Sequence, residues 1–133
     1  MKLKPLVISV IKDKFVVCRF DSFSQIPESI LQSHFYSITK TADELSIVCQ
    51  EEFFPKDGKC EMNWKCLKIH GPLDFKQTGI ISSITTPLAA AGISVFALST
   101  YDTDYVMVKE NDLERAVETL TQSGHQVHTI NQS

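Results

Sequence analysis

The stretch ISVFALSTYDTDYVMVKENDLERAVETLTQSG, residues 93–124, decides how the rest of the chain is read. Residues 93–99 form a nearly continuous apolar run and 104–110 alternate, with the polar STYDTD between them, so together they predict a β-hairpin. Asn111 followed three residues later by Glu114 has the pattern of a capping box. Leu113, Ala116, Val117 and Leu120 fall on one helical face, and Gly124 marks the stop. Strand, strand and amphipathic helix follow in that order.

Upstream, NWKCLKI (63–69) is rich in strand formers. In GPLDFKQTGIISSITTPLAAAG (71–92), Ile80, Ile81, Ile84, Leu88 and Ala91 recur near helical spacing up to a stop at Gly92. A short strand around 126–129 completes the order βαββαβ. This is a ferredoxin-like α+β unit, with helices on one face of an antiparallel sheet.

A shift of sixty residues lays FYSIT (35–39) on VFALS (95–99), Glu44 on Asp104, Leu45 on Tyr105, Ile47 on Met107, Val48 on Val108 and Pro27 on Pro87. Such self-similarity predicts two copies of one unit in tandem, residues 1–60 and 61–133, the first truncated. In the first copy, LVISV and FVVCRF around Lys12 to Lys14 predict a hairpin, and Ile26 to Ser33 a short helix with Pro27 in its first turn. The stretch EEFFPKDGKCEMN, with Pro55 and Asp57-Gly58, predicts a connector.

At 133 residues, 43% hydrophobic and 22% charged, the chain has the composition of one globular body. A net charge of -3 offers no cationic field for phosphate backbones or anionic lipid, so neither nucleic acid nor membrane is an expected partner. No apolar run is long enough to span a bilayer and no signal peptide opens the sequence, so a cytoplasmic protein is expected. Cys18, Cys49, Cys60 and Cys66 show no CxxC pairing, and the expectation is reduced thiols used mainly for packing.

No phosphate loop, nucleophile elbow or zinc motif is present, and neither a cofactor nor a metal is expected. His34, His70, His125 and His128 are scattered toward predicted surface or strand ends. Asp74, Asp102 and Asp104 have no evident nucleophile beside them, so no catalytic residues are assigned. GPLDFKQTGI, by contrast, leaves a strand, carries Gly71 and Gly79, and delivers a helix N-terminus, where free N–H groups and the helix dipole favour a carboxylate. The same residues also suit a plain strand-to-helix connection with Asp74 and Gln77 as its cap. Pro87 withholds its N–H from the Ser83 carbonyl, leaving an acceptor for a ligand ammonium or for water at a kink. In the STYDTD turn, Asp104 suits either a cationic ligand group or an exposed turn.

GPLDFKQTGI, ITTPLAAAGISVFALSTYDTDYVMVKENDLERAVETL and TADELSIVC resemble the paired ACT-domain family of small bacterial proteins, itself similar to the cytosolic arginine sensors of animal cells. The resemblance implies a non-enzymatic regulatory module that holds a free amino acid where two ACT units meet. It implies ligand contacts from Gln77, Gly79 and Ile80 on the loop side and Thr100, Tyr101 and Asp104 on the turn side, with Ser83 and Ile84 from a partner. The chain has half the content of those sensors, so a homodimer is expected. The competing expectations are a structural protein that oligomerises without a physiological ligand, and an enzyme using Asp102 and Asp104.

Overall fold

Lys12, Asp13 and Lys14 do not turn the chain. The computed structural model, which describes residues 5–70 and 79–129, shows one 14-residue strand there, β1 (Val7–Phe20), in place of the expected hairpin. The physical reason lies in its partners: Val7–Val10 pair with β7 and Phe15–Phe20 with β3, so the strand is held extended on both sides of Lys12–Lys14. β1 is followed by β2 (Tyr36–Lys40), β3 (Leu45–Gln50), β4 (Lys59–Ile69), helix α1 (Ile80–Ala90), β5 (Val95–Ser99), β6 (Asp104–Lys109), helix α2 (Leu113–Gln122) and β7 (Gln126–Thr129). The helix expected at 26–33 is a single 3-10 turn, Glu28–Gln32, with Pro27 extended ahead of it.

The chain divides into two compact units, residues 1–12 with 65–133, and residues 13–64, so β1 and β4 each contribute to both. In the first unit the strand order is β7–β1–β4–β6–β5. β5 and β6 pair antiparallel, whereas β7 runs parallel to Val7–Val10 of β1. Both helices pack on this sheet through Ile84, Leu88, Ala116 and Leu120, all fully buried with Ile8, Leu67, Ile69 and Val108. Each large aliphatic side chain so buried contributes roughly 1.5–3 kcal/mol. The capping box at Asn111 and Glu114 does not form. A 3-10 turn, Glu110–Asp112, leads directly into α2, and no side chain caps it.

In the second unit the order is β2–β3–β1–β4, and Val16, Cys18, Ile30, Leu45, Ile47 and Cys49 form the core. Gly58 stands just before β4 at φ +92, where an added Cβ would come within 2.6 Å of the Phe20 ring and 2.9 Å of the Arg19 carbonyl. The connector therefore needs glycine at this position.

The two hairpins share one turn. Thr41 N–H donates to the Glu44 carbonyl at 2.9 Å and Glu44 N–H to the Thr41 hydroxyl at 3.1 Å. Likewise Thr100 N–H donates to the Thr103 carbonyl at 2.8 Å and Thr103 N–H to the Thr100 hydroxyl at 3.2 Å. The flanking pairs are Lys40 with Leu45 and Ser99 with Asp104. The equivalence thus runs at a shift of fifty-nine (Lys40 to Ser99, Leu45 to Asp104) rather than sixty. The cores agree, because Ile47 and Cys49 then match Val106 and Val108, buried in their respective units. A one-residue slip would turn those side chains to the opposite face. The counterpart of Asp104 is Leu45, not Glu44.

His125 joins three segments of the first unit. Its Nδ1 accepts from Leu6 N–H at 3.1 Å and its Nε2 lies 3.3 Å from the Ser83 carbonyl. A carbonyl only accepts, so the ring carries its proton on Nε2. The acceptor that Pro87 leaves open is met from within the chain.

Cys18 and Cys60 form a disulfide, which corrects the expectation of four free thiols; Cys49 and Cys66 are free and buried. Both cysteines of the bridge belong to neighbouring strands of the second unit, and the Cα atoms are 4.1 Å apart. Burial pushes the Cys49 thiol up to about 11, and the Cys66 thiol up to about 12 against the opposing pull of Lys65 and Lys68.

Three outcomes follow from these contacts. Under denaturing, non-reducing conditions the chain should titrate two thiols, and four after reduction; four before reduction would refute the bridge. The free thiols hold their protons more tightly folded than unfolded. Their contribution is therefore complete below their ordinary value near 9.0 and is lost as pH rises through about 11 and 12. Denaturant unfolding should show stability declining above pH 9, by at most ~1.4 kcal/mol per pH unit for each thiol. The double variant Cys49→Ala, Cys66→Ala should decline less, and an unchanged pH profile would rule out this origin. His125→Ala should cost roughly 1–3 kcal/mol by leaving two backbone groups without their partner. In a Pro87→Ala background the cost should shrink, because residue 87 then offers an N–H to Ser83; equal costs in both backgrounds would show that the ring does not serve that carbonyl.

Candidate functional site

α1 begins from Gly79, whose φ of 80° and ψ of 4° place it in the left-handed region, where a side chain is strained. Ser83 N–H donates to the Gly79 carbonyl at 2.9 Å, the first bond of the helix. The N–H groups of Ile80, Ile81 and Ser82 therefore have no acceptor within the helix. Among the described residues no side chain caps this end, and the first turn holds no acidic residue. The positive end of the helix dipole, which favours an anion, meets no acidic side chain of α1's own first turn. Gln77, expected beside it, lies outside the described residues.

The second element is the β5–β6 turn. The Ser99 hydroxyl donates to Asp104 Oδ1 at 2.6 Å, and the Thr100 and Thr103 bonds close the turn between them. Asp104 is half-buried on the face of β6 that carries Val106 and Val108 into the core. Thr100 is exposed and Tyr101 is 80% exposed at the tip. On the other face, burial chiefly raises the Tyr105 phenol, helped by the Cys66 thiol and opposed by a hydrogen bond from Thr103, so the phenol stays neutral near pH 7.

α1 and β5 bring these two elements to one end of the unit. The 11-residue helix and the five-residue strand are each about 17 Å long, and a short turn at 91–94 joins them. Since α1 packs back along β5, the start of α1 returns to the end at which β5 enters the Thr100–Thr103 turn. A helix end that favours a carboxylate and a turn that carries one thus share an edge.

Ser83 and Ile84, expected to contact ligand from a partner, are engaged within their own unit. The Ser83 hydroxyl donates to the Ile80 carbonyl at 2.7 Å, and the Ser83 carbonyl faces His125. Ile84 is fully buried in its own unit's core, so it cannot be presented to a ligand without repacking, while Ile80 is half-buried at the core's margin. The residue missed from sequence is His125. Its signal was a ring placed directly after the Gly124 helix stop, within reach of whatever the Pro87 gap exposes. Among the described residues no three His, Cys, Asp or Glu side chains converge as a metal site. Nor, among them, is any helix long and apolar enough to cross a membrane.

Comparison with known proteins places these features. The ACT-domain family model matches residues 59–122, which hold α1, the β5–β6 turn and α2, and a second model for an N-terminal domain matches residues 13–57. The cytosolic arginine sensor for mTORC1 subunit 1 of cattle is 33% identical over 97 residues, which cover 65% of this chain. The match spans about 30% of that sensor's length. A crystal structure of an Agrobacterium tumefaciens protein is 34% identical, covers 98% of this chain and 97% of its own, and superimposes with a TM-score of 0.91. The ligand-free regulatory subunit of aspartate kinase from Thermus thermophilus shares the fold at 9% identity and a TM-score of 0.62, covering 89% of this chain and 97% of its own. With its antiparallel hairpin and two helices, the stretch 59–122 that the family model matches is an ACT domain.

Proposed function

We propose that this protein is a non-enzymatic sensor or regulatory module for a free amino acid in the cytoplasm, its ligand held where ACT units of two copies meet. The observation that carries this reading is the pairing of opposite preferences at one end of the first unit. The helix terminus at Gly79, uncapped among the described residues, suits a carboxylate, and Asp104 suits an ammonium group, which together complement a zwitterion. Gln77 and Ile80 flank the carboxylate side, and Thr100 and Tyr101 the ammonium side. The relative named an arginine sensor supports the ligand class.

A homodimer fits α1, which has no charged residue and whose exposed positions, Ser82, Thr86, Ala89 and Ala90, are small or hydroxylic. The duplicated hairpin turn supports a tandem origin, an N-terminal ACT-like unit from residues 1–60, truncated to a 3-10 turn where a helix would stand, and an ACT domain from residues 61–133. Only the second copy keeps a carboxylate at the end of the core-facing row, since Leu45 fills that position in the first.

Thermal unfolding against the twenty amino acids should show at least one raising the melting temperature logarithmically with concentration. Asp104→Asn should then weaken the best ligand by about one to two decades, the loss of a charge-assisted hydrogen bond worth roughly 1.5–3 kcal/mol. Glu44→Gln, in the equivalent turn, should leave affinity unchanged. No shift with any amino acid, or equal affinities in the two variants, would overturn the assignment. Light scattering should give twice the 15.0 kDa chain mass. A monomer that amino acids leave unchanged would exclude a pocket shared between copies.

A further inference from the structure

The first unit contains a second recess, away from Gly79 and Asp104. Its volume is about 360 Å³, and Val10 of β1 with Leu113 and Val117 of α2 supply aliphatic wall. Lys65 of β4 also lines it, although only 9% of that residue is exposed. The Lys65 ammonium donates to the Lys12 carbonyl at 2.5 Å, and Lys12 is itself a lining residue. Glu114, in the first turn of α2, lines the recess from an exposed position.

A buried lysine is uncommon because an ammonium loses hydration, and one set among aliphatic side chains gives the cavity a selective charge. The volume lies in the range of small-molecule sites, which pair apolar walls with a few polar groups that fix orientation. A ligand that matches this lining has a single anionic head for Lys65 and a compact aliphatic body for Val10, Leu113 and Val117. A carboxylate is such a head, and its contact with an ammonium is charge-assisted. Glu114 adds a means of distinguishing an amino acid, which brings an ammonium group of its own, from a simple carboxylic acid.

We propose that this recess is a binding site for a small monocarboxylate with a branched aliphatic body, its carboxylate on Lys65. The site lies within one unit and is independent of the ligand assigned to Gly79 and Asp104. Leucine and 4-methylpentanoate share the proposed chemistry and differ in the ammonium group, so both serve as probes, with 4-methylpentanamide as the uncharged control. Titration followed by protein NMR should show at least one acid shifting the signals of Val10, Leu113 and Val117, while the amide shifts none. Tighter binding of leucine would assign the site to a free amino acid, with Glu114→Gln removing the preference; equal or tighter binding of 4-methylpentanoate would assign it to a simple carboxylic acid.

Lys65→Met should weaken the bound acid at least ten-fold, and Val117→Phe, which fills the recess without touching the charge, should weaken it similarly. Asp104→Asn should leave this titration unchanged, which separates it from the site at the α1 terminus. The proposal is overturned if neither acid moves these signals in the unmodified protein, if the amide binds as well as the acids, or if a folded Lys65→Met or Val117→Phe protein binds as tightly as the parent. It is also overturned if Asp104→Asn abolishes the shifts.

Discussion

A proline at position 87 removes one N–H from α1, and the first unit is organised around the carbonyl left behind. Ser83 needs a donor from outside its helix, and His125 supplies it while accepting from Leu6 with its other nitrogen. The three residues belong to the segment before β1, the middle of α1 and the link between α2 and β7. Two hydrogen bonds on one ring therefore tie together segments that are distant in sequence. Gln126 N–H donates to the Leu6 carbonyl at 2.9 Å directly beside this ring, which starts the parallel pairing of β7 with β1. A helical alanine at 87 would satisfy Ser83 locally and make this cross-link unnecessary.

Local chemistry made the second half of the chain legible. The apolar run at 93–99, the alternation at 104–110 and the helix stops at Gly92 and Gly124 reflect periodicities and turn preferences that act over a few residues. Both stops appear as expected, with Ile93 N–H donating to the Leu88 carbonyl and His125 N–H to the Leu120 carbonyl. What could not be read depends on partners elsewhere in the chain. Lys12 to Lys14 resemble a turn by polarity alone, yet stay extended where β1 passes from one unit into the other. The Cys18–Cys60 bridge needs the pairing of neighbouring strands, which spacing does not reveal.

The candidate site was legible in its backbone and less so in its side chains. Gly79 and the polar STYDTD turn stand out because glycine and hydroxyl residues mark unusual backbone demands. The partner of Ser83 was hidden for a related reason: a missing N–H could be deduced from Pro87, whereas the imidazole that answers it comes from forty-two residues further on. Ile84 follows the helical period as a core residue, and that reading, rather than a contact with ligand, is where its side chain lies.

The one-residue difference between the two repeat alignments changes what duplication implies for function. Chemistry along the strands favours a shift of sixty, which makes Glu44 and Asp104 counterparts. The turn hydrogen bonds and the residues that each hairpin gives to its core cluster fit fifty-nine, and Leu45 then occupies the position of Asp104. Leu45 is 2% exposed and packs with Ile47 and Cys49, so the first hairpin closes its core where the second ends on a carboxylate held by Ser99. The 13–64 unit also has a 3-10 turn, Glu28–Gln32, and no α-helix. The proposed zwitterion complement therefore has no counterpart in the 13–64 unit. On the proposed reading, a symmetric pair of chains would carry two equivalent sites, each drawing its helix end and its carboxylate from an ACT domain, with the 13–64 unit contributing no ligand group.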